Sequence, residues 1–187
     1  LHAMLGVLMI LIVVAMSRIS MRIVNTSLEE CDSRDDEGER RLYLARPPRR
    51  NLAMLCLGLH AVAVLSGLPA STTGWLALAA AAAVLNLMGD WHVGRALLRR
   101  WPLLLYAVYV FMALGYGLSG WAGLTGALPV NAGVHLLTAG ALSLGVMVVV
   151  VIAGHTHSGL EKGGRDWVLW AMAGLMLAAL LRAAAYG

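Results

Sequence analysis

Histidines are the residues of this sequence whose chemistry stands out, because they are ionisable side chains set in or beside long apolar runs. His2 and His135 each stand near the start of such a run, His60 lies inside one, and His155 and His157 follow the run that His135 opens. Ionisable side chains at membrane depth are costly, so a functional role is the first hypothesis for them. Imidazole nitrogen binds both copper and haem iron, which makes these residues candidates for a metal or haem site.

The stretch from Asn131 to Gly159 limits how these histidines can combine. Residues 136–154, between His135 and His155, carry no charge and have the length of a membrane-spanning helix. At about 1.5 Å per residue, the two imidazoles stand roughly 30 Å apart, which is the thickness of the hydrocarbon core. Unless the helix breaks, they cannot share a metal ion, and they belong to two different sides of a membrane.

The composition predicts the membrane fold that must position these histidines. The chain is 60% hydrophobic and 13% charged, with a mean hydropathy of +0.77, as is typical of an integral membrane protein. Its two cysteines are far apart and indicate no disulfide framework. We predict an all-α, polytopic membrane helix bundle that forms one domain over residues 1–187. Its six transmembrane helices would lie at about 1–23, 52–68, 73–91, 102–121, 132–154 and 167–186, with a charged loop at 25–50.

Basic residues predict how these spans are oriented. Thirteen of the fourteen Lys and Arg residues fall on the side of the 25–50 loop, and only Arg182 falls near the other side. The positive-inside rule makes that loop cytoplasmic. Tryptophans fall at both predicted boundaries, as in an aromatic belt: Trp75 and Trp121 at the outer one, and Trp91, Trp101, Trp167 and Trp170 at the inner one.

This topology places His2 and His135 together at the outer entrances of the first and fifth spans. Two imidazoles from facing helices would serve as axial ligands of a haem or as copper ligands; alternatively, each one hydrogen bonds to a neighbouring helix and binds nothing. Arg182 either snorkels outward to water or pairs with a haem propionate. His60 is either a packed, hydrogen-bonding side chain or a ligand in the middle of the membrane.

The remaining histidines belong to the cytoplasmic boundary. His155 and His157 converge on a metal only in extended or turn geometry, and interface histidines often simply meet water. His92 follows Asp90 and Trp91 and is predicted at the level of the lipid headgroups, with Asp90 solvated there.

The segment from His135 to Thr156 resembles a family signature. The pattern HLLTAGALSLGVM followed by GHT is similar to the C-terminal signature of the NnrS family, which are polytopic bacterial inner-membrane proteins associated with haem, copper, nitric oxide and denitrification. Residues 89–91, the basic turn after them and the Pro-Leu-Leu at 102–104 resemble a second part of that family. Residues 2–4 and 22–24, on either side of the first span, resemble a third.

The resemblance implies a haem protein, or a copper protein, of the bacterial cytoplasmic membrane. Its implied role lies in nitric oxide, nitrosative-stress or denitrification metabolism. His2, His135 and His155 match the family's histidines and are its implied haem or metal ligands. The chain departs from the family pattern where His157 follows GHT and where the run Val148 to Val151 replaces an arginine. Full-length relatives carry further N-terminal spans, so we expect a C-terminal half or a short paralogue, completed by those helices or by a homo-oligomer.

The function predicted from the sequence is therefore that of a membrane protein that binds haem, with copper as the alternative, and takes a small neutral ligand such as nitric oxide. The predicted environment of the protein is the lipid bilayer. The sequence contains no acid/base dyad, nucleophile triad, phosphate-binding loop or nucleic-acid patch, and it leaves open whether the protein is an enzyme. Two rivals remain. One is a metal-free transporter or channel half in which His60 and Asn86 line a polar path, and the other is a structural subunit of a larger membrane complex.

Overall fold

The computed structural model describes residues 2–32, 43–44, 46–91, 94–158 and 166–185, and these ranges contain helices and turns but no strand. The helices are α1 (His2–Asp32), α2 (Pro47–Leu65), α3 (Ala70–Met88), α4 (Arg100–Thr125), α5 (Val130–His135), α6 (Ser143–Ser158) and α7 (Asp166–Ala184). A π-helical segment, Leu136–Leu142, joins α5 to α6, and two 3₁₀ turns, Gly89–Trp91 and Gly94–Leu98, connect α3 to α4. The prediction of an all-α helix bundle is confirmed.

Five segments of the described chain are long and apolar enough to cross a membrane: Met4–Glu29, Ala70–Trp91, Arg100–Thr125, Val130–Gly154 and Trp167–Ala184. The chain is thus a multi-pass membrane protein. α2 is the sixth long helix and is not one of these five. Its first turn carries Arg49 and Arg50, which leaves it a shorter apolar run. It still packs between α1 and α3 in the bundle.

α1 extends past residue 23, where the first span was predicted to end, and takes in residues that were predicted as loop. Val24 and Leu28 are buried in these extra turns. The hydroxyls of Thr26 and Ser27 donate hydrogen bonds to carbonyl oxygens one turn earlier. Tertiary packing therefore continues the helix where composition alone indicated a polar connection.

Glycines at the helix crossings let α4 lie at the centre of the bundle. α4 packs against α1, α3, α5, α6 and the π segment. A Cβ atom added at Gly120 of α4 would lie 2.8 Å from the carbonyl oxygen of Gly74 in α3. On the other side of α4, a Cβ at Gly133 of α5 would lie 2.5 Å from the carbonyl oxygen of Gly115. Small residues allow such close approach of transmembrane helices, and packing of this kind needs no water to drive it.

α5, the π segment and α6 form one continuous rod over residues 130–158. The backbone is right-handed helical at both junctions, His135 and Ser143. The Ser143 N–H donates to the carbonyl oxygen of Thr138, five residues earlier, and the Ser143 hydroxyl donates to the same oxygen at 2.9 Å. The wider turns of a π segment recur at functional sites. Because the rod is unbroken, the backbones of His135 and His155 lie about 30 Å apart and stand at opposite ends of the bundle.

Candidate functional site

A cleft of about 300 Å³ opens at one end of the bundle, among α1, α2, α3, α4 and the 130–158 rod. We call this the cleft end; it carries the turns at 66–69 and 126–129. The lining is mostly aliphatic side chains and glycine, with His60, Thr73 and Tyr116 as its larger polar groups. No Asp, Glu, Lys, Arg or Cys is among the described residues that line it. A mainly apolar cleft with a few convergent polar groups is the usual form of a small-molecule site.

His60 and Tyr116 form the polar floor of the cleft. Their ring centroids lie 5.2 Å apart, with the ring planes at 89°. This edge-to-face contact restricts how the imidazole can turn. His60 stands five residues before the end of α2 and Tyr116 nine residues before the end of α4, so the floor lies roughly 8 to 13 Å below the rim.

His135 stands beside the cleft rather than in its lining. Val134 and Leu137, its neighbours along the rod, both line the cleft. Successive helical side chains point about 100° apart, which turns the half-buried His135 away from the direction of Val134. The π segment begins at the next residue, Leu136. His135 is therefore held at the cleft end by the same turns that line the cleft.

The first turn of α1 reaches the same cleft. Leu5 and Gly6 line it, and they follow His2, where α1 begins, by three and four positions. Residues at these spacings share one face of a helix, so the backbone position of His2 lies above the cleft-lining face. The side chain of His2 lies outside the described part of the chain. The structure thus brings the starts of α1 and α5 to one cleft.

Ser119 carries a buried hydroxyl that has no hydrogen-bond partner among the described residues. Other helical hydroxyls, such as those of Thr125 and Thr138, donate to the carbonyl oxygen four residues earlier. The Ser119 Oγ instead occupies the space where a side chain on Gly133 would begin. Leaving a hydroxyl buried and unpaired costs roughly 1–3 kcal/mol. Close packing of α4 on α5 is what offsets this cost.

We expect the substitution Ser119→Ala to leave the free energy of unfolding unchanged or to raise it by about 1 kcal/mol. The substitution removes a hydroxyl that has no hydrogen-bond partner among the described residues, and alanine is nearly the same size as serine. The measurement is thermal unfolding of the detergent-solubilised protein, followed by the loss of monodisperse elution. Ser143→Ala is the matched control: its hydroxyl is bonded to Thr138, so we expect it to lower stability. A larger loss for Ser119→Ala than for Ser143→Ala would show that Ser119 has a polar partner.

The opposite end of the bundle holds a buried ion pair. The side chain of Asp90 is 3% exposed, and its carboxylate lies 2.9 Å from Nη1 of Arg49 and 3.7 Å from Nε of Arg46. Asp90 Oδ2 also accepts a hydrogen bond from the Arg46 N–H at 3.2 Å, while Arg49 donates to the carbonyl oxygen of Asn86 at 3.3 Å. The prediction of a solvated Asp90 is therefore wrong, because its arginine partners allow the carboxylate to be buried. The pair fixes the start of α2 against the end of α3.

Trp91 was predicted to lie in the aromatic belt at the membrane boundary, but it is buried in the bundle. It is 1% exposed and packs among the rings of Tyr43, Tyr106 and Tyr109, whose centroids lie 5.5–6.1 Å from its own. Edge-to-face and tilted contacts of this kind add to the burial of apolar area. By contrast, large fractions of several other tryptophans are exposed, as expected of lipid-facing residues: Trp75, Trp121, Trp167 and Trp170.

Tyr43 ties the segment before α2 to α1. Its N–H donates to the side-chain oxygen of Asn25 at 2.8 Å, and its carbonyl oxygen accepts a hydrogen bond from the same amide at 3.2 Å. Burial raises the pKa of the Tyr43 hydroxyl, a hydrogen bond with Ser20 opposes this, and the charge of Asp90 adds to it. Tyr43 is therefore an uncharged, packed residue at neutral pH, and it holds one end of the charged loop against the bundle.

The other residues predicted for a site lie apart from the cleft lining. Arg182 is exposed in the last turn of α7, a helix that packs on α5. Asn86 is exposed near the Asp90 end, so it does not share the cleft with His60 as a common polar path would require. His155 begins the last turn of the rod, and its side chain, like that of His157 and all of His92, lies outside the described residues. Within the described part of the chain, no three His, Cys, Asp or Glu side chains are grouped as a metal site.

Sequence reasoning did not single out Thr73, Tyr116 and Ser119, which line the cleft with His60. One signal was present, because Tyr116 and Ser119 are three residues apart on α4 and therefore share a helix face within an apolar span. That signal is weak, since many polar side chains in spans bond only to their own helix. Only the tertiary structure, in which α2 packs beside α1 and α3, brings the His60 ring to Tyr116 of α4.

Comparison with known proteins agrees with the sequence resemblance. Residues 1–187, the whole chain, match the NnrS family, described as NnrS protein. No curated protein and no solved structure matches the chain. The match spans every helix described above, including those that line the cleft and those that carry the Asp90 ion pair. This multi-pass membrane protein belongs to the NnrS family.

Proposed function

We propose that this chain is a bacterial inner-membrane protein of the nitric oxide response that binds haem, or copper, through His2 and His135 at the cleft end. The observation that supports it is the convergence of the first turn of α1 and the start of α5 on one cleft. By the charge asymmetry of the loops, this end faces the periplasm. His155 stands at the far end of the rod, so any metal that it binds belongs to a separate, cytoplasmic site.

The donor set at the cleft end suits a haem better than a copper ion held by protein alone. A porphyrin supplies four nitrogen ligands and needs only one or two imidazoles from the protein. The described lining of the cleft adds no carboxylate or thiolate to these imidazoles. His2 and His135 are the residues that would hold the haem. Arg182 lies in the last turn of α7, at the cleft end of the bundle. It would pair with a haem propionate or snorkel to water.

A haem held at this end would supply iron, which has the chemistry to bind a diatomic ligand such as nitric oxide. The contribution of the chain's own residues is selection of that ligand. Aliphatic side chains and glycine line the cleft, and charged groups are absent from its described lining, so it favours a small, neutral molecule such as nitric oxide. The edge-to-face contact with Tyr116 keeps the His60 imidazole oriented on the cleft floor.

The test is the visible absorption spectrum and the iron and copper content of detergent-purified protein from cells supplied with haem. We expect a Soret band in the wild type that is lost or shifted in both His2→Ala and His135→Ala, because each would remove one imidazole ligand. His155→Ala is the matched control, since His155 lies about 30 Å away along the rod and its loss should leave the band in place.

Two outcomes would contradict the proposal. Folded wild-type protein without a Soret band and without stoichiometric metal would favour the transporter or structural-subunit class. A Soret band that survives both substitutions at the cleft end but is lost in His155→Ala would move the haem to the cytoplasmic side.

A further inference from the structure

We propose that the cleft is a vestibule that admits small neutral molecules from the cleft end of the bundle to His60. The ligand class is an uncharged molecule of a few heavy atoms with at least one polar atom that the His60 imidazole can contact. This inference deepens the proposed function, because it names the route and the class of ligand, but access to His60 requires neither haem nor metal.

The volume of the cleft limits the size of the ligand. At about 300 Å³ it stands at the small end of the range for ligand pockets. It therefore suits a small solute rather than a lipid or a peptide.

The lining limits the charge of the ligand. Asp90 and Arg49 form an ion pair at the opposite end of the bundle. Neither of them is among the residues that line the cleft. The cleft itself offers His60, Thr73, Tyr116 and the buried hydroxyl of Ser119 as polar groups and is otherwise mainly apolar. An ion moved into such surroundings without a counter-charge loses several kcal/mol of solvation. A neutral molecule avoids this cost.

The shape of the cleft makes it a vestibule with one closed end. The rim residues Leu68, Ala70 and Val130 are exposed at helix ends. One to two turns before Tyr116 on the same side of α4, Met112 and Tyr109 are at most 1% exposed. Their packed side chains close the cleft below its floor, so a molecule that enters at the rim comes to rest at His60 and Tyr116.

α2 supplies a matched pair of positions for the test. Val64 lines the cleft, whereas Val62, two residues earlier on the same helix, is 60% exposed on the outer surface of the bundle, where lipid would cover it. Cysteines at the two positions, in a background with Cys31 and Cys56 replaced by Ser, would be treated with the neutral reagent methyl methanethiosulfonate. Only a solvated thiol ionises and reacts, so we expect modification at Val64→Cys to be about tenfold faster or more than at Val62→Cys.

The charge preference is measured with the trimethylammonium and sulfonate forms of the same reagent at Val64→Cys, each rate being divided by that with free glutathione. We expect both charged forms to be slower than the neutral one by about tenfold, since they must lose solvation to enter. Equal neutral-reagent rates at the two cysteines would overturn the vestibule. Equal rates of neutral and charged reagents at Val64→Cys would overturn the neutral ligand class.

A second measurement tests access to His60 itself. Diethyl pyrocarbonate, a small neutral electrophile, acylates imidazole nitrogen, and peptide mass spectrometry reports the extent at each histidine. We expect His60 to be modified at the same rate in the wild type and in Val62→Trp, and about tenfold more slowly in Val64→Trp, whose indole would fill the cleft. Absence of modification in the wild type, or equal rates in the two Trp variants, would contradict the inference. These experiments use protein without added haem, so their failure and that of the haem proposal are distinguishable.

Discussion

Gly133→Ala is expected to lower the free energy of unfolding by about 3 kcal/mol, because overpacking at a backbone-to-backbone contact forces two helices apart. The new Cβ would lie 2.5 Å from the carbonyl oxygen of Gly115 and 2.7 Å from the amide nitrogen of Ser119. Neither backbone atom can move without shifting α4. The same shift would displace His135, two residues further along the rod, and so weaken any ligand binding at the cleft end. Thermal unfolding in detergent and the Soret band per folded protein measure the two effects.

Gly117→Ala is the matched control for this prediction. Gly117 lies in α4, the helix against which Gly133 packs, but nothing stands within 4 Å of a Cβ added there. Alanine in a helix interior is favoured over glycine by up to about 1 kcal/mol, so we expect this variant to be as stable as the wild type or more so. If the two glycine variants lost stability equally, the close crossing of α4 and α5 would not be the cause.

Asp90→Asn is expected to lower the free energy of unfolding by about 2–3 kcal/mol. Removal of one partner of a buried ion pair typically costs 3–5 kcal/mol, and the smaller value is expected here because the Arg49 side chain is 29% exposed and partly solvated. The amide keeps the size of the carboxylate but not its charge. The start of α2 would then lose its strongest link to the Gly89–Trp91 turn. Chemical unfolding in mixed micelles, followed by tryptophan fluorescence, to which the buried Trp91 contributes, measures this loss.

Arg46→Gln provides the comparison for the Asp90 variant. The Arg46 side chain is 69% exposed and its Nε stands 3.7 Å from the carboxylate. Its N–H, which donates to Asp90, is kept in the variant. Exposed pairs contribute at most about 1 kcal/mol, so we expect little change. A loss for Arg46→Gln as large as that for Asp90→Asn would mean that the exposed arginine, and not Arg49, carries the interaction.

The local sequence predicted part of this site but not the cleft itself. Spacing predicted that His2 and His135 enter the membrane from the same side, and the structure places the starts of their helices at one cleft. His60 remained ambiguous between packing and ligand binding, because an apolar span with one histidine reads the same in both cases. The cleft depends on side chains from five segments that are distant in sequence. The hydropathy of a single segment does not show which of its residues face residues of another segment.

Asp90 and Trp91 were misplaced for the same reason. A carboxylate near the predicted end of a span is expected to meet water, and a tryptophan there is expected to meet headgroups. Arg49, more than forty positions away in the chain, neutralises Asp90, and Tyr43 and Tyr109 cover Trp91. Gly89 permits this arrangement, since a Cβ there would lie 2.7 Å from Nη1 of Arg49.

The sequence by itself determined that this is a helical, multi-pass membrane protein, because lipid requires long apolar segments whose backbone groups bond internally. It also determined that His135 and His155 stand at opposite ends of one rod, because nineteen uncharged residues separate them and a helix rises by a fixed amount per residue. Only the tertiary structure decided which polar residues share a cleft and which charges are buried. Those outcomes depend on contacts between distant segments, where glycine lets backbones approach and an arginine allows a carboxylate to leave water.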